Sequence, residues 1–209
     1  MLKTLERINK ILTSRIFQLI CLVLIYMICA IPALEFTSDS NLYLIIAENV
    51  ALYGKIIDQN GVEIVYWPPL YPIIISLGYP NLEFWVLVLH GLALIISSSL
   101  WTSIFRQLLG KQEAVIASWL YTLSTPLIMI HIFVWSEAIF FLLLTICIRS
   151  IILYNKKGQT ISLVFISFSG FLMLLQRNAG VFFMPGMLLG LFLLLRNEKN
   201  WGVKYLIQM

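Results

Sequence analysis

Residues 84–105 read FWVLVLHGLALIISSSLWTSIF, and none of them is charged. A lipid bilayer has a hydrocarbon core about 30 Å thick, which a helix of about 20 residues crosses. This stretch therefore has the length and the composition of a transmembrane helix. Three more apolar runs of similar length, residues 16–34, 114–133 and 138–154, predict three more spans.

The composition of the whole chain excludes an ordinary soluble domain. Among its 209 residues, 60% are hydrophobic and 11% are charged, and the mean hydropathy is +0.92. Soluble domains use about 25% charged residues to cover their surface. The net charge is +4, but the basic residues lie in small groups between apolar runs without a continuous basic face, so we expect no nucleic acid partner.

The last apolar run, residues 161–195, is too long to cross a bilayer once, since as one helix it would extend about 52 Å. The polar segment Gln176-Arg177-Asn178, followed by Gly180, is the natural place for the chain to fold back. The sequence therefore predicts an all-α polytopic membrane protein with about six transmembrane helices.

The basic residues predict the orientation of these six spans, because cytoplasmic loops are enriched in lysine and arginine. Twelve of the 14 basic residues fall on one side, and only Lys55 and Arg177 fall on the other. Both termini are therefore predicted to be cytoplasmic. Most acidic residues fall on the outer side, namely Glu35, Asp39, Glu48, Asp58, Glu63, Glu83 and Glu137.

The first outer loop, residues 35–83, is long enough to carry structure of its own. Residues 41–53 have apolar side chains at helical spacing, with Ser38 or Asp39 placed to cap the helix. The following WPPLYP segment at 67–72 is rich in proline and aromatic residues, which suit an extended backbone at the membrane interface. Residues 70–77 are apolar but too short to cross, so they predict a second surface or re-entrant helix.

Three charged residues of the predicted outer face can carry chemistry. Asp39 follows the first span, Glu137 begins the fourth, and Arg177 interrupts the last apolar hairpin. A carboxylate can accept a proton, and the donor fork of arginine binds phosphate. Two structural alternatives stay open, because Asp39 could cap a helix and Glu137 could mark the end of a span.

Four short motifs follow one another along the chain: SDSNLY at 38–43, WPPLYP at 67–72, WSEAIF at 135–140 and LQRNAG at 175–180. Their order resembles the N-terminal half of the GT-C membrane glycosyltransferases, over roughly residues 16–195. Within that superfamily, the chain is most similar to the branch of dolichyl-phosphate-mannose protein mannosyltransferases and aminoarabinose transferases.

The resemblance implies transfer of a sugar from a polyprenyl-phosphate carrier to a lipid, glycan or protein acceptor, at the outer face of what the branch implies is a bacterial inner membrane. It implies that Asp39 is the catalytic base or orients the acceptor. Glu137 matches the second outward acid, and Arg177 matches the arginine that meets the donor phosphate. The loop that borders the donor groove would be formed by Trp67, Pro68, Pro69 and Tyr71.

The chain departs from the family's pattern in two ways. Ser40 stands where many members carry a second acid, and family enzymes are usually much longer. We therefore expect residues 1–209 to correspond to the N-terminal part of such an enzyme. Without paired acids or a histidine cluster, we expect no cofactor and no dedicated metal site, although a divalent metal stays an alternative.

Other classes of membrane protein compete with this interpretation. An intramembrane protease could pair His90 or His131 with a serine of the run at 97–99, but the chain lacks G-x-S-x-G and H-E-x-x-H. A non-catalytic lipid-binding subunit or a transporter fragment needs Arg177 but no base. The sequence leaves this second alternative open.

Overall fold

The computed structural model describes residues 13–31, 34–190 and 192, and these residues form α-helices and no β-strand. The helices in chain order are α1 (Arg15–Ala30), α2 (Ser38–Tyr53), α3 (Leu70–Ser76), α4 (Leu82–Leu108), α5 (Lys111–Thr122), α6 (Thr125–Ile132), α7 (Glu137–Lys157), α8 (Thr160–Gln176) and α9 (Gly180–Gly190). The predicted all-helical architecture is confirmed for this part of the chain.

Two of these helices, α4 with 27 residues and α7 with 21, are long and apolar enough to cross a membrane. A bent pair, α5 and α6, counts as a third crossing if both helices belong to one span. Helices α1, α8 and α9 are apolar but shorter. Many large apolar side chains on these helices are exposed, such as Ile28, Phe168 and Phe182, which is typical of surfaces that face lipid.

The structure divides the predicted span at 114–133 into α5 and α6, whose axes differ by 43°. Pro126 lies at the start of α6. Proline has no backbone N–H, and its ring clashes with the carbonyl four residues earlier in a continuous helix, which here belongs to Thr122. No charged residue stands at this break, although Ser124 and Thr125 are polar, so a search for long uncharged runs did not reveal it.

The predicted fold-back in the last apolar run is confirmed. Helix α8 ends at Gln176, and α9 begins at Gly180 after a short turn. The final predicted span extends to residue 195, of which residue 191 and residues 193–195 lie outside the described part of the chain.

The helices of the loop 35–83 pack into the same core as the long helices. Tyr43 of α2 and Tyr71 of α3 share one buried cluster with Val86 of α4, Ile139 of α7 and Met173 of α8. The loop is therefore an ordered part of the fold, and it is held against the beginning of α7 and the end of α8.

Five of the eight described lysines and arginines lie at one end of the bundle, which we call the basic end: Arg15, Arg106, Lys111, Lys156 and Lys157. Arg149 lies within α7, and Lys55 and Arg177 lie at the opposite end. Two hydrogen bonds connect the helices at the basic end. The Lys156 ammonium donates to the carbonyl of Gln107, and the Arg15 guanidinium donates to the carbonyl of Ser99. The opposite end, which we call the loop end, holds the loop 35–83, the beginning of α7 and the end of α8.

Candidate functional site

A cavity of about 660 Å³ opens at the loop end. Its wall is built by the beginning of α2, the segment before α3, the beginning of α7 and the turn after α8. Of the residues predicted for the site, the cavity is lined by Asp39, Trp67, Pro68, Glu137 and Arg177. Residues far apart in the sequence are thus brought to one place, whereas Pro69 and Tyr71 do not line the cavity.

The N-terminus of α2 is capped by Thr37, so the prediction that Ser38 or Asp39 is the cap is wrong. The backbone N–H of Ser40 donates to the Thr37 hydroxyl at 3.3 Å, and the backbone N–H of Thr37 donates to the Ser40 hydroxyl at 3.0 Å. This reciprocal capping box satisfies two otherwise unpaired donors. The Asp39 carboxylate is therefore not required for capping and stays exposed, with a long 3.5 Å hydrogen bond from Ser38.

Ser40 occupies the position at which the resembled family often has a second acid. Its side chain is fully buried within the capping box. A carboxylate at this position would have to be buried beside Thr37, which is costly without a charged partner. The structure thus gives a local reason for serine here, and it places one acid, Asp39, at this rim of the cavity.

Glu137 and Arg177 form an ion pair with 2.5 Å between a guanidinium nitrogen and a carboxylate oxygen. Glu137 is the first residue of α7, and Arg177 directly follows the last residue of α8. The side chain of Arg177 is 41% exposed and that of Glu137 is 30% exposed. Both groups are therefore accessible to a ligand in the cavity.

A chain of hydroxyl groups supports the Glu137 carboxylate from behind. The Tyr43 hydroxyl donates to the Ser136 hydroxyl at 3.2 Å, which in turn donates to Glu137 Oε2 at 3.5 Å. The Gln176 amide donates to the carbonyl of Ser136 at 2.9 Å and so connects the end of α8 to the beginning of α7. Burial raises the pKa of the Tyr43 phenol, and the nearby carboxylates raise it further, so Tyr43 stays protonated as a donor.

Sequence reasoning gave no role in the site to Tyr43, Ser136 or Gln176, although all three lie inside motifs that were quoted for the resemblance and Gln176 was placed in the fold-back segment. Nothing in a single sequence indicates that Tyr43 and Ser136 would meet across 93 residues. Gln176 could have been noticed because it is an amide at the end of an apolar helix, where a buried polar side chain requires a hydrogen-bond partner.

Aromatic rings form one wall of the cavity. The Trp67 ring stands edge to face on Tyr43, with 4.8 Å between ring centroids. The indole N–H of Trp135 donates to the Thr37 hydroxyl at 3.0 Å, which joins the beginning of α7 to the cap of α2. The indole N–H of Trp67 is buried and has no acceptor within the described residues. An acceptor atom brought by a ligand is one way to satisfy such a donor.

Tyr71 lies beneath this wall and is fully buried. Its ring contacts Tyr43 edge to face at 4.8 Å, and its hydroxyl is 2.9 Å from His90 Nε2. The other ring nitrogen of His90 lies 3.1 Å from the carbonyl of His131, which can only accept, so Nδ1 carries the proton. Tyr71 must therefore donate to Nε2, and its role is to hold Tyr43 in place.

The histidines do not form the arrangement of a serine protease in the part of the chain that the structure describes. His90 is bonded to Tyr71 and to the carbonyl of His131, and His131 is bonded to the carbonyl of Leu127. Neither ring is paired with a serine among the described residues. Within the same ranges, no group of three or more His, Cys, Asp or Glu side chains is arranged to hold a metal ion.

The cavity combines the exposed carboxylate of Asp39, the accessible guanidinium of Arg177 and an aromatic wall. It also holds the carboxylate of Glu137, which is hydrogen-bonded through Ser136 to Tyr43. Such a site can bind a phosphate through the guanidinium and can accept a proton at a carboxylate. Comparison of the chain with models of protein families, with curated proteins and with solved structures finds no match.

Proposed function

We propose that the chain is part of a GT-C-type membrane glycosyltransferase, which transfers a sugar from a polyprenyl-phosphate carrier to an acceptor at the outer face of a bacterial inner membrane. The observation that carries the proposal is that Asp39, Glu137 and Arg177 line one cavity. These are the residues that the motifs had selected, and they come from three separate parts of the chain. A set of unrelated surface charges would not be expected to converge in this way.

In the proposed reaction, an acceptor hydroxyl attacks the anomeric carbon of the donor sugar. Asp39 accepts the proton of that hydroxyl while the new carbon–oxygen bond forms. The bond between the anomeric carbon and the phosphate oxygen breaks, and the leaving phosphate keeps the electron pair. Arg177 neutralises the charge that develops on that phosphate. Glu137, fixed by Ser136 and Tyr43, orients a sugar or acceptor hydroxyl.

The proposal includes six spans with cytoplasmic termini, so that the basic end faces the cytoplasm and the cavity lies at the outer interface. The separation of charge supports this orientation, because lysine and arginine are enriched on the cytoplasmic side. Exposed apolar side chains on α1, α8 and α9 support the placing of these shorter helices in lipid. The carrier's polyprenyl tail would then lie in the bilayer, with its phosphate at the cavity.

The test is sugar transfer by the full protein in proteoliposomes that contain a panel of labelled polyprenyl-phosphate sugars. We expect Asp39→Asn to lower the rate by about 100-fold or more, because it removes a general base. Glu63→Gln is the matched control, since Glu63 is an exposed acid of the same loop that does not line the cavity. Transfer that is unchanged in Asp39→Asn, or lowered equally in the control, would contradict the proposal.

The alternative is a non-catalytic lipid-binding subunit or a transporter fragment. One observation favours it: Asp39 forms no ion pair with another described residue and is held only by its long bond from Ser38, so nothing fixes it as a base. Arg177 alone would suffice to bind a lipid phosphate. Binding of the donor that depends on Arg177, without transfer for any sugar in the panel, would support this alternative over the enzyme.

A further inference from the structure

A second cavity, of about 800 Å³, lies at the basic end and is separate from the site described above. Its polar part is formed by Thr13 before α1, by Arg106 near the end of α4, and by Lys111 and Gln112 at the beginning of α5. No acidic residue among those that the structure describes lines it. Glu113, the acid of the first turn of α5, approaches the backbone at Gly110 and is not part of the lining.

The two cations of this cavity have no counter-ion within the described part of the chain. Arg106 and Lys111 are both exposed, and neither side chain forms an ion pair or a hydrogen bond with another described residue. Lys156, at the same end, differs because its ammonium donates to the carbonyl of Gln107. Two unpaired cations at one opening create a positive potential that attracts an anion.

The remaining wall of the cavity is apolar and continues onto the outside of the bundle. Leu109, Val115 and Ile116 form it, and the side chain of Ile116 is 60% exposed. The opening therefore joins a cationic pocket to a surface that is suited to hydrocarbon. A free phosphate would use the first part only, whereas a phospholipid would use both.

We propose that this cavity binds the headgroup of an anionic phospholipid, with the phosphate between Arg106 and Lys111 and an acyl chain along Ile116. Basic pockets between membrane helices on the cytoplasmic side bind anionic headgroups by this chemistry. The proposed orientation puts the cavity on that side, so the inference rests on this part of the proposed function. It uses no residue of the loop-end cavity, so a failure of sugar transfer and a failure of lipid binding can be told apart.

The test is native mass spectrometry of the full protein in detergent, titrated with phosphatidylglycerol or phosphatidylcholine. We expect tighter binding of phosphatidylglycerol, and about fivefold weaker binding in Lys111→Gln, from the contribution of one basic residue to anionic lipid binding. Lys157→Gln is the matched control, since Lys157 is an exposed lysine of the same end outside the cavity. It should change the affinity less than twofold.

Three outcomes would overturn the inference. Equal loss in Lys111→Gln and Lys157→Gln would mean that the lipid senses only the general charge of the basic end. Equal affinity for both lipids would mean that the cations do not select the headgroup. Competition by inorganic phosphate at the concentration of the lipid would mean that the cavity holds a free anion without a need for the apolar wall.

Discussion

Replacement of Arg177 by alanine separates a ligand-binding role from a structural one. Arg177 pairs with Glu137 at 2.5 Å, and both side chains are partly exposed to solvent. Exposed ion pairs contribute about 0.2–1 kcal/mol to stability, because water screens the attraction and two long side chains are ordered. We therefore expect Arg177→Ala to lower the free energy of unfolding by less than about 1 kcal/mol.

The expected effect on donor binding is larger. A hydrogen bond to a charged group contributes about 1.5–3 kcal/mol, which corresponds to a factor of roughly 10 to 100 in affinity. A short-chain polyprenyl phosphate should thus bind about 10- to 100-fold more weakly to Arg177→Ala. Arg177→Lys should recover part of the loss, since lysine keeps the charge but not the planar fork.

The binding can be followed by the quenching of tryptophan fluorescence, because Trp67 and Trp135 line the cavity. Unfolding can be followed in parallel by titration with a denaturing detergent. Lys55→Ala is the control, as it removes an exposed cation of the loop end that lies outside this cavity. If Arg177→Ala unfolds several kcal/mol more easily while binding is unchanged, the reasoning is refuted and the pair is structural.

Three further predictions concern the support of the cavity. Tyr71→Phe should lower the free energy of unfolding by about 1–3 kcal/mol, because it leaves the buried His90 Nε2 without a donor. A loss below about 0.5 kcal/mol, the size of an ordinary surface substitution, would contradict the assigned hydrogen bond. Thr37→Ala should cost about 1–2 kcal/mol through loss of the cap, whereas Ser38→Ala should be near neutral in the same unfolding assay. Burial raises the pKa of Tyr43, so the folded state keeps its proton at a pH at which an unfolded tyrosine ionises. The free energy of unfolding should therefore stay constant up to about pH 10 and fall above it. This fall should be shallower in Tyr43→Phe.

Where a segment with a charged residue interrupts an apolar run, the sequence was sufficient to predict the end of the helix. Gln176-Arg177-Asn178 divides the last run, and α8 ends there as expected. The break between α5 and α6 was missed because it carries no charged residue, although Ser124, Thr125 and above all Pro126 indicate that the helix does not continue. Hydropathy reports the cost of transfer into lipid, but it does not report whether the backbone can stay helical.

The charged residues of the candidate site could be selected from the sequence, but their support could not. Asp39, Glu137 and Arg177 stood out because charge is rare beside apolar spans. The fixing of Glu137 by Tyr43 and Ser136 depends on tertiary packing between α2 and α7, which no local pattern encodes. The identity of the α2 cap was missed for a simpler reason, since three adjacent residues, Thr, Ser and Asp, are all good caps and only backbone geometry chooses among them.

The place of the ion pair on its two helices affects how easily it can open. Glu137 lies at the positive end of the dipole of α7, and Arg177 lies at the negative end of the dipole of α8. Each charge is thereby favoured by about 0.3–1 kcal/mol, even without its partner. When an anion binds Arg177 in place of Glu137, the Glu137 carboxylate is still stabilised by the dipole of α7. The ion pair can therefore open by exchange of partners, because each charge keeps a favourable interaction with the dipole of its own helix.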